Sequence, residues 1–418
     1  MHIKRAFLLL GACSLLWVTI SSCAKKEEPP RTVGSELPYT NNVTRSLSQL
    51  VDSIPQASVY AAAFHRSSLQ AYMDSLSLGT INAPYTLLVP TNDAMKAAGY
   101  TLDQVNALPS PMIDTLVRYL SLPGLLPGGS SAITGGITGS VAYAPMMYPD
   151  PALQRTIVPS PFSAYNPYNY LLSVAFRDST MFLNGWKASG HATPVAATNG
   201  SVYLIDTLIQ KPEFELCQLI AADTSLSFYL AALRKNNEIY QRQGMLTDTY
   251  DPMHNDTAAL TAVAVLGIPQ PKVAPTTIVF APDNNAFRKA GFSSIAAISD
   301  FIEQSAAATG DYYNLLLTNM DSILVQHRVL YGYAINYTPY NQGLNAFYTV
   351  DMRYNPYVQT QNNADLGGAI FFQISNGNII VHRQDAPNGR GAQVTAGSDI
   401  TAVNGVLHKV DNLLLTTP

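Results

Sequence analysis

The chain has 418 residues, 24 basic and 28 acidic side chains, a formal net charge of −4 and a charged fraction of only 12%. Charge this sparse and balanced gives no long-range field for nucleic acid, and no basic cluster follows the N-terminal region. The length predicts two to three domains, and 24 Tyr against 2 Trp among many Asn, Thr and Ser residues suits an extracellular binding surface.

Lys4 and Arg5 precede an apolar run from Ala6 to Ile20, too short and too early to be a stable spanning helix. The run ends in Ile20-Ser21-Ser22-Cys23, which resembles a bacterial lipobox. That resemblance implies a signal peptide over 1–22, a lipid on Cys23 and a tether over 23–42. Ala24-Lys25-Lys26-Glu27-Glu28 resembles the Lys-acidic export signal of surface lipoproteins in Bacteroidetes-type bacteria. No later stretch is long and apolar enough to span a bilayer. With Cys13 in the signal and Cys23 modified, Cys217 is left alone and no intramolecular disulfide is expected.

Apolar residues at three-to-four spacing predict helices over 43–78. Tyr85-Thr86-Leu87-Leu88-Val89-Pro90 then reads as a buried strand stopped by Pro, with Thr91 capping a short helix that Gly99 ends. Further helices begin at Thr101 and Pro111. From Pro123 to Tyr170 the pattern lapses into Gly-rich and Tyr/Pro-rich sequence without clear elements. Strands resume at Leu171–Phe176 and Thr180–Leu183, and Asn199-Gly200 opens a closing hairpin strand ending at Asp206.

The second half repeats this order. Phe214–Leu233 is helical, and Asn236 to Gln270 reads as an insertion. Thr277-Ile278-Val279-Phe280-Ala281-Pro282 with the cap Asp283 repeats the organising strand. Helices are predicted over 293–302 and 311–330, a hairpin around Asn376-Gly377, and a closing strand after Asn404-Gly405. Two motifs repeated in one order, about 190 to 205 residues apart, mark an internal duplication.

The strand-Pro-Thr/Asp-Asn opening and the Asn-Gly-to-Asp close resemble the fasciclin (FAS1) domain, over both 43–212 and 213–418. The resemblance implies an α+β fold of two tandem domains, each a β-sandwich wedge flanked by helices, the first divergent. Gln326-His327 resembles the family's central Tyr-His motif, whereas Val117-Arg118-Tyr119-Leu120 has no His there. It also implies adhesion, by non-covalent binding of a cell, matrix or glycan partner.

Tyr165-Asn166-Pro167-Tyr168 and Tyr354-Asn355-Pro356-Tyr357 are the same four letters in the two halves. Tyr offers a broad amphipathic ring and Asn adaptable hydrogen bonds, so Tyr165, Asn166, Tyr168, Tyr354, Asn355 and Tyr357 are the ligand-contact candidates. Asn199, Gly200, Asn404, Gly405 and His327 are expected to be structural. The six His that follow the signal are scattered without metal-ligand spacing, and nucleophile-elbow and phosphate-loop patterns are absent, so neither a metal, a cofactor nor an enzyme is expected. The expected protein is an outer-membrane, surface-facing lipoprotein held through Cys23, with an extracellular protein or polysaccharide partner. A glycan-binding accessory lipoprotein of a nutrient-uptake system is the alternative, and a hydrolase built from distant carboxylates the remote one.

Overall fold

The computed structural model describes residues 43–77, 84–126, 142–154, 167–177, 179–190, 192–242, 260–261, 263–265, 268–273, 276–305, 318–331, 347–354, 357–358, 370–383 and 391–415.

The first half opens with helices α1 (Leu47–Asp52), α2 (Ser58–Arg66) and α3 (Ser68–Ser77). A reciprocal Ser46–Gln49 capping box starts α1, satisfying two amides that a helix start leaves free. Strand β1 (Tyr85–Pro90) is buried along its length, and Thr91 Oγ1 accepts from the Ala94 N–H to start α4 (Asn92–Ala97). Helices α5 (Leu102–Ala107) and α6 (Ser110–Tyr119) follow, the latter burying Ile113, Leu116 and Val117. Then come β2 (Ser121–Pro123), β3 (Ala142–Gln154), β4 (Pro167–Arg177), β5 (Thr180–Leu183), β6 (Trp186–Ser189), β7 (Val195–Ala197) and β8 (Gly200–Ile205).

The second half carries α7 (Leu216–Ala222), α8 (Ser227–Arg242), β9 (Val263–Val265), β10 (Ile268–Val273) and β11 (Thr276–Pro282). Helices α9 (Asn284–Lys289), α10 (Ile295–Ser305) and α11 (Asn319–Leu324) lead to β12 (Arg328–Tyr331) and α12 (Thr349–Met352). Strands β13 (Tyr357–Val358), β14 (Ile370–Ser375), β15 (Asn378–Arg383), β16 (Ala392–Gln393), β17 (Ile400–Ala402) and β18 (Gly405–Val410) complete it.

The duplication is visible in the sheets. One is ordered β2-β1-β8-β7 and its counterpart β12-β11-β18-β17. In both, the organising strand runs parallel to the closing strand, with Tyr85 opposite Gly200 and Thr277 opposite Gly405. The closing strands therefore sit inside a sheet and are buried almost throughout, rather than alternating as edge hairpins do. A second sheet packs in each half: β6-β5-β4-β3-β10-β9 in the first and β13-β14-β15-β16 in the second. The fold is thus α+β, with each copy built from two sheets and flanking helices.

Three departures from the sequence reading have physical causes. Strand β3 occupies part of the stretch read as structureless; Pro145, Pro149 and Pro151 break its alternation, and its register with β4 shifts at two places. The helix expected over 311–330 is, among the described residues, α11 plus a 3₁₀ turn, and Arg328 onward is strand because it pairs antiparallel with β11. The inserted segment of the second half supplies β9 and β10 to the first half's sheet, with Lys272 opposite Leu153. Period and propensity within one segment carry no information about which sheet it joins.

Candidate functional site

Two clamps built from the same residue types hold the copies' frames. Asn199 Oδ1 accepts from the Leu47 N–H at 2.8 Å, and Asn404 Oδ1 accepts from the Leu216 N–H at 2.9 Å. Each Asn backbone carbonyl also accepts from an amide at the start of the organising strand, Tyr85 N–H at 3.1 Å and Thr277 N–H at 3.0 Å. The following glycine has no room for a side chain: a Cβ on Gly200 would lie 2.0 Å from Tyr85 O, and one on Gly405 1.8 Å from Thr277 O. A second pair went unassigned in sequence. Asn92 Oδ1 accepts from the Val59 N–H at 3.0 Å, and Asn284 Oδ1 from the Phe228 N–H at 2.9 Å. The signal was present, since each Asn directly follows the helix cap of its copy.

His327 is fully buried. Its Nδ1–H donates to Phe280 O at 2.8 Å, and its Nε2 accepts from the Leu414 N–H at 2.9 Å. Burial, reinforced by the nearby Arg383 charge and only partly opposed by the Phe280 carbonyl, lowers its pKa to about 3. The imidazole is a neutral pin between the organising strand and the C-terminal segment. In the first copy Leu87 pairs with Ser121 as Val279 pairs with Arg328 in the second, so buried Leu120 stands where His327 stands. His408 is likewise buried, donates through Nε2 to Phe347 O at 2.7 Å, and burial lowers its pKa.

Tyr165, Asn166 and Asn355 lie outside the described residues, as does Cys23. Tyr168 is corrected from a loop contact to an interior anchor: it lies in β4, is only 8% exposed, and its hydroxyl donates to Val403 O in the other copy at 2.6 Å. The alternation of Tyr168, Tyr170, Leu172 and Val174 explains the burial, since all four face one core. Tyr357 falls in β13 opposite Phe371. Tyr354 is 47% exposed, and the Arg177 guanidinium sits over its ring at 4.2 Å from the centroid.

Tyr168 and Tyr354 thus mark a joint between the copies that sequence did not disclose. Arg177, at the end of β4, lies 3.5 Å from Asp351 on α12, both buried. Burial raises the Asp351 pKa to about 7, against the lowering effects of the Tyr348 amide and the Arg177 charge. Tyr348 presses its ring against Gly185, where a Cβ would lie 2.7 Å from it, and its hydroxyl meets Thr401 Oγ1 at 3.0 Å. Phe182 packs on Tyr348, Val350 and Val406. In keeping with this, Thr44–Pro418 forms one compact unit.

Cys217 is a free, half-buried thiol. Among the described residues no group of three or more His, Cys, Asp or Glu side chains is placed to hold a metal ion, and no single helix is long and apolar enough to cross a membrane.

The duplicated clamp and the paired sheets define a tandem α+β protein of two related copies. Among solved structures the chain is similar to a FAS1 domain pair from the insect cell adhesion molecule fasciclin I. The similarity covers 86% of this chain and 97% of that one, at 14% identity and a TM-score of 0.29. No protein-family model matches the chain. No curated protein matches it either.

Proposed function

We propose that the chain is a lipid-anchored adhesion protein of a bacterial outer membrane, facing the cell surface, that binds a cell, matrix or glycan partner without chemistry. The observation that supports it best is the joint. Tyr168 with Val403, Tyr348 with Gly185, and Arg177 with Asp351 fasten the two copies into one body. A body fixed in this way presents surfaces of both copies in a constant relation, so a repeating partner meets two contacts for one loss of orientational freedom. The tether over 23–42 supplies reach, and acylation of Cys23 supplies attachment, at about 0.8 kcal/mol per buried CH₂.

The test has two arms. Radiolabelled palmitate is expected to enter the full chain and not Cys23→Ala, and external protease is expected to degrade the chain on intact cells. Liposomes carrying the full chain are expected to adhere to surfaces coated with matrix proteins or polysaccharides. Unlabelled parent protein overturns the anchor, and liposomes that adhere no better than bare ones overturn the adhesion.

A further inference from the structure

Strand β4 meets the second copy at both of its ends, and the two ends are built differently. Tyr168, near its start, donates to Val403 O at 2.6 Å. At the same end Gln154 of β3 stands between Pro167 of β4 and Val273 of β10, and β10 leads directly into β11 of the second copy. Arg177 closes the other end of β4, nine positions on, or about 30 Å at about 3.3 Å per residue. Hydrogen bonds hold the Tyr168 end, whereas packing and charge hold the Arg177 end. There Tyr348 presses on Gly185, and Phe182 packs on Tyr348 and Val350. Arg177 Nη2 lies 3.5 Å from Asp351 Oδ1, yet Nη2 and Nε have no hydrogen-bond partner among the described residues, and Nη1 donates to Phe176 O of its own strand. A buried ion pair that the guanidinium does not complete with hydrogen bonds recovers little of its desolvation cost.

Helix α12 is fastened to its own copy. The Thr349 N–H donates to Asp399 Oδ1 at 2.8 Å, the Tyr348 hydroxyl meets Thr401 Oγ1, and His408 Nε2 donates to Phe347 O. Separation at this end therefore leaves α12 on the second copy and uncovers Arg177 and Asp351 together.

The groups around Asp351 come from several elements. Arg177, on β4, is a guanidinium and keeps its charge. Tyr348, just before α12, donates its N–H to Asp351 Oδ2 at 3.0 Å, and burial holds its phenol neutral. Asp399, just before β17, opposes ionisation of Asp351 with a like charge. His408, on β18, lies 3.5 Å from Asp399, and burial lowers its pKa. Tyr354, after α12, lies under the Arg177 guanidinium. Burial first, then the Tyr348 amide and the Arg177 charge acting against it, set the Asp351 pKa at about 7. In an opened, wetted seam the carboxyl returns towards the ordinary value of about 4. Opening thus releases a proton, so the contribution of Asp351 to closure is full below about pH 4 and is lost as pH rises to about 7.

We propose that the contact between α12 and the Arg177 end of β4 is a proton-controlled latch, closed while Asp351 is protonated and released by its ionisation, with the Tyr168 end as the hinge. The latch goes beyond the adhesion reading and stands without it. Its closed form is the fixed body described above, and its open form loosens the relation between the copies at one end.

The experiment measures rare opening through a thiol placed in the seam. Val350→Cys is introduced into the full chain in mild detergent, and its alkylation by iodoacetamide is followed by peptide mass spectrometry. Cys217 reports the reagent's own pH dependence. At each pH, the folded rate divided by the rate in urea-unfolded chain gives the opening constant. That constant is expected to rise tenfold or more from pH 5 to 7 and to level off above. With Asp351→Asn added, it is expected to stay flat. With Arg177→Gln added, the rise is expected to move to higher pH, because the charge that favours the carboxylate is gone; this variant decides the matter if Asp351→Asn fails to fold. A flat profile in the Val350→Cys chain overturns the latch, as does a rise that persists unchanged in Asp351→Asn. An opening constant equal to the global unfolding constant from urea denaturation at every pH also overturns it, because the seam would then open only with the whole chain. None of these results bears on adhesion, which the liposome assay tests separately.

Discussion

The side chain of Asn199 accepts a hydrogen bond from the backbone of Leu47 across 152 positions, at 2.8 Å in a buried site. Asn404 does the same for Leu216, and each Asn precedes a glycine wedged against the organising strand. Replacing either Asn by Ala leaves a buried N–H without its partner, a loss of roughly 1–3 kcal/mol. Gly200→Ala and Gly405→Ala are expected to cost more, because the added carbon meets backbone oxygen rather than a side chain that can turn away. Urea denaturation of the four variants checks this, with the midpoint for each glycine variant expected below that of its asparagine neighbour.

His327 and Asp351 are expected to act on stability in opposite directions with pH. The folded pKa of His327 is depressed to about 3, so unfolded chains take up a proton that the native state refuses. Its contribution is intact above the ordinary His pKa and is lost as pH falls from about 6.5 towards 3, at about 1.4 kcal/mol per pH unit. Asp351 has a folded pKa raised to about 7, so the native state holds its proton more tightly than the unfolded chain. Its contribution is greatest below the ordinary Asp pKa and is lost as pH rises from about 4 to 7. His327→Leu, which installs the residue the first copy carries at Leu120, is expected to lower stability at pH 7 and to flatten the acid limb. Asp351→Asn, which keeps an acceptor for the Tyr348 N–H, is expected to flatten the opposite slope between pH 4 and 7. Unfolding free energies measured from pH 4 to 8 test both signs.

Much of the frame was legible because it is local. The strand-Pro-cap sequence at Pro90-Thr91 and Pro282-Asp283 states where a strand stops and a helix starts, and both caps form. Asn376-Gly377 predicts its hairpin because only residues tolerating positive φ fit such a turn, and they adopt φ of 50° and 81°. What escaped depends on distant partners. Strand β10 is recognisable only through its pairing with β3, and β3 is disguised by its own prolines. The letters around Tyr168 match those around Tyr357 and point to a loop contact, while the partner of its hydroxyl, Val403 O, lies 235 positions away. Arg177 and Asp351 carried no signal at all, since a buried ion pair between copies has no spacing rule.

The joint makes its own prediction about cooperativity. With Tyr168 bonded to Val403, Tyr348 packed on Gly185 and Arg177 beside Asp351, the two copies are expected to unfold in one transition, with circular dichroism and Tyr fluorescence giving the same midpoint. Tyr168→Phe removes one hydrogen bond and keeps the ring, a loss of roughly 1 kcal/mol that should leave a single transition. Gly185→Ala is the stronger probe. Its φ of +80° is strained for any side chain, and its Cβ would stand 2.7 Å from the Tyr348 ring. Such a clash pushes Tyr348, the residue that precedes α12, away from the turn after β5, and is expected to draw Asp351 away from Arg177. The expected result is two resolved transitions in calorimetry, because neither Asn clamp is touched and each copy keeps its own frame. A single transition merely shifted to lower temperature would mean that the joint and the frames are one structure, and that the copies have no separate stability to reveal.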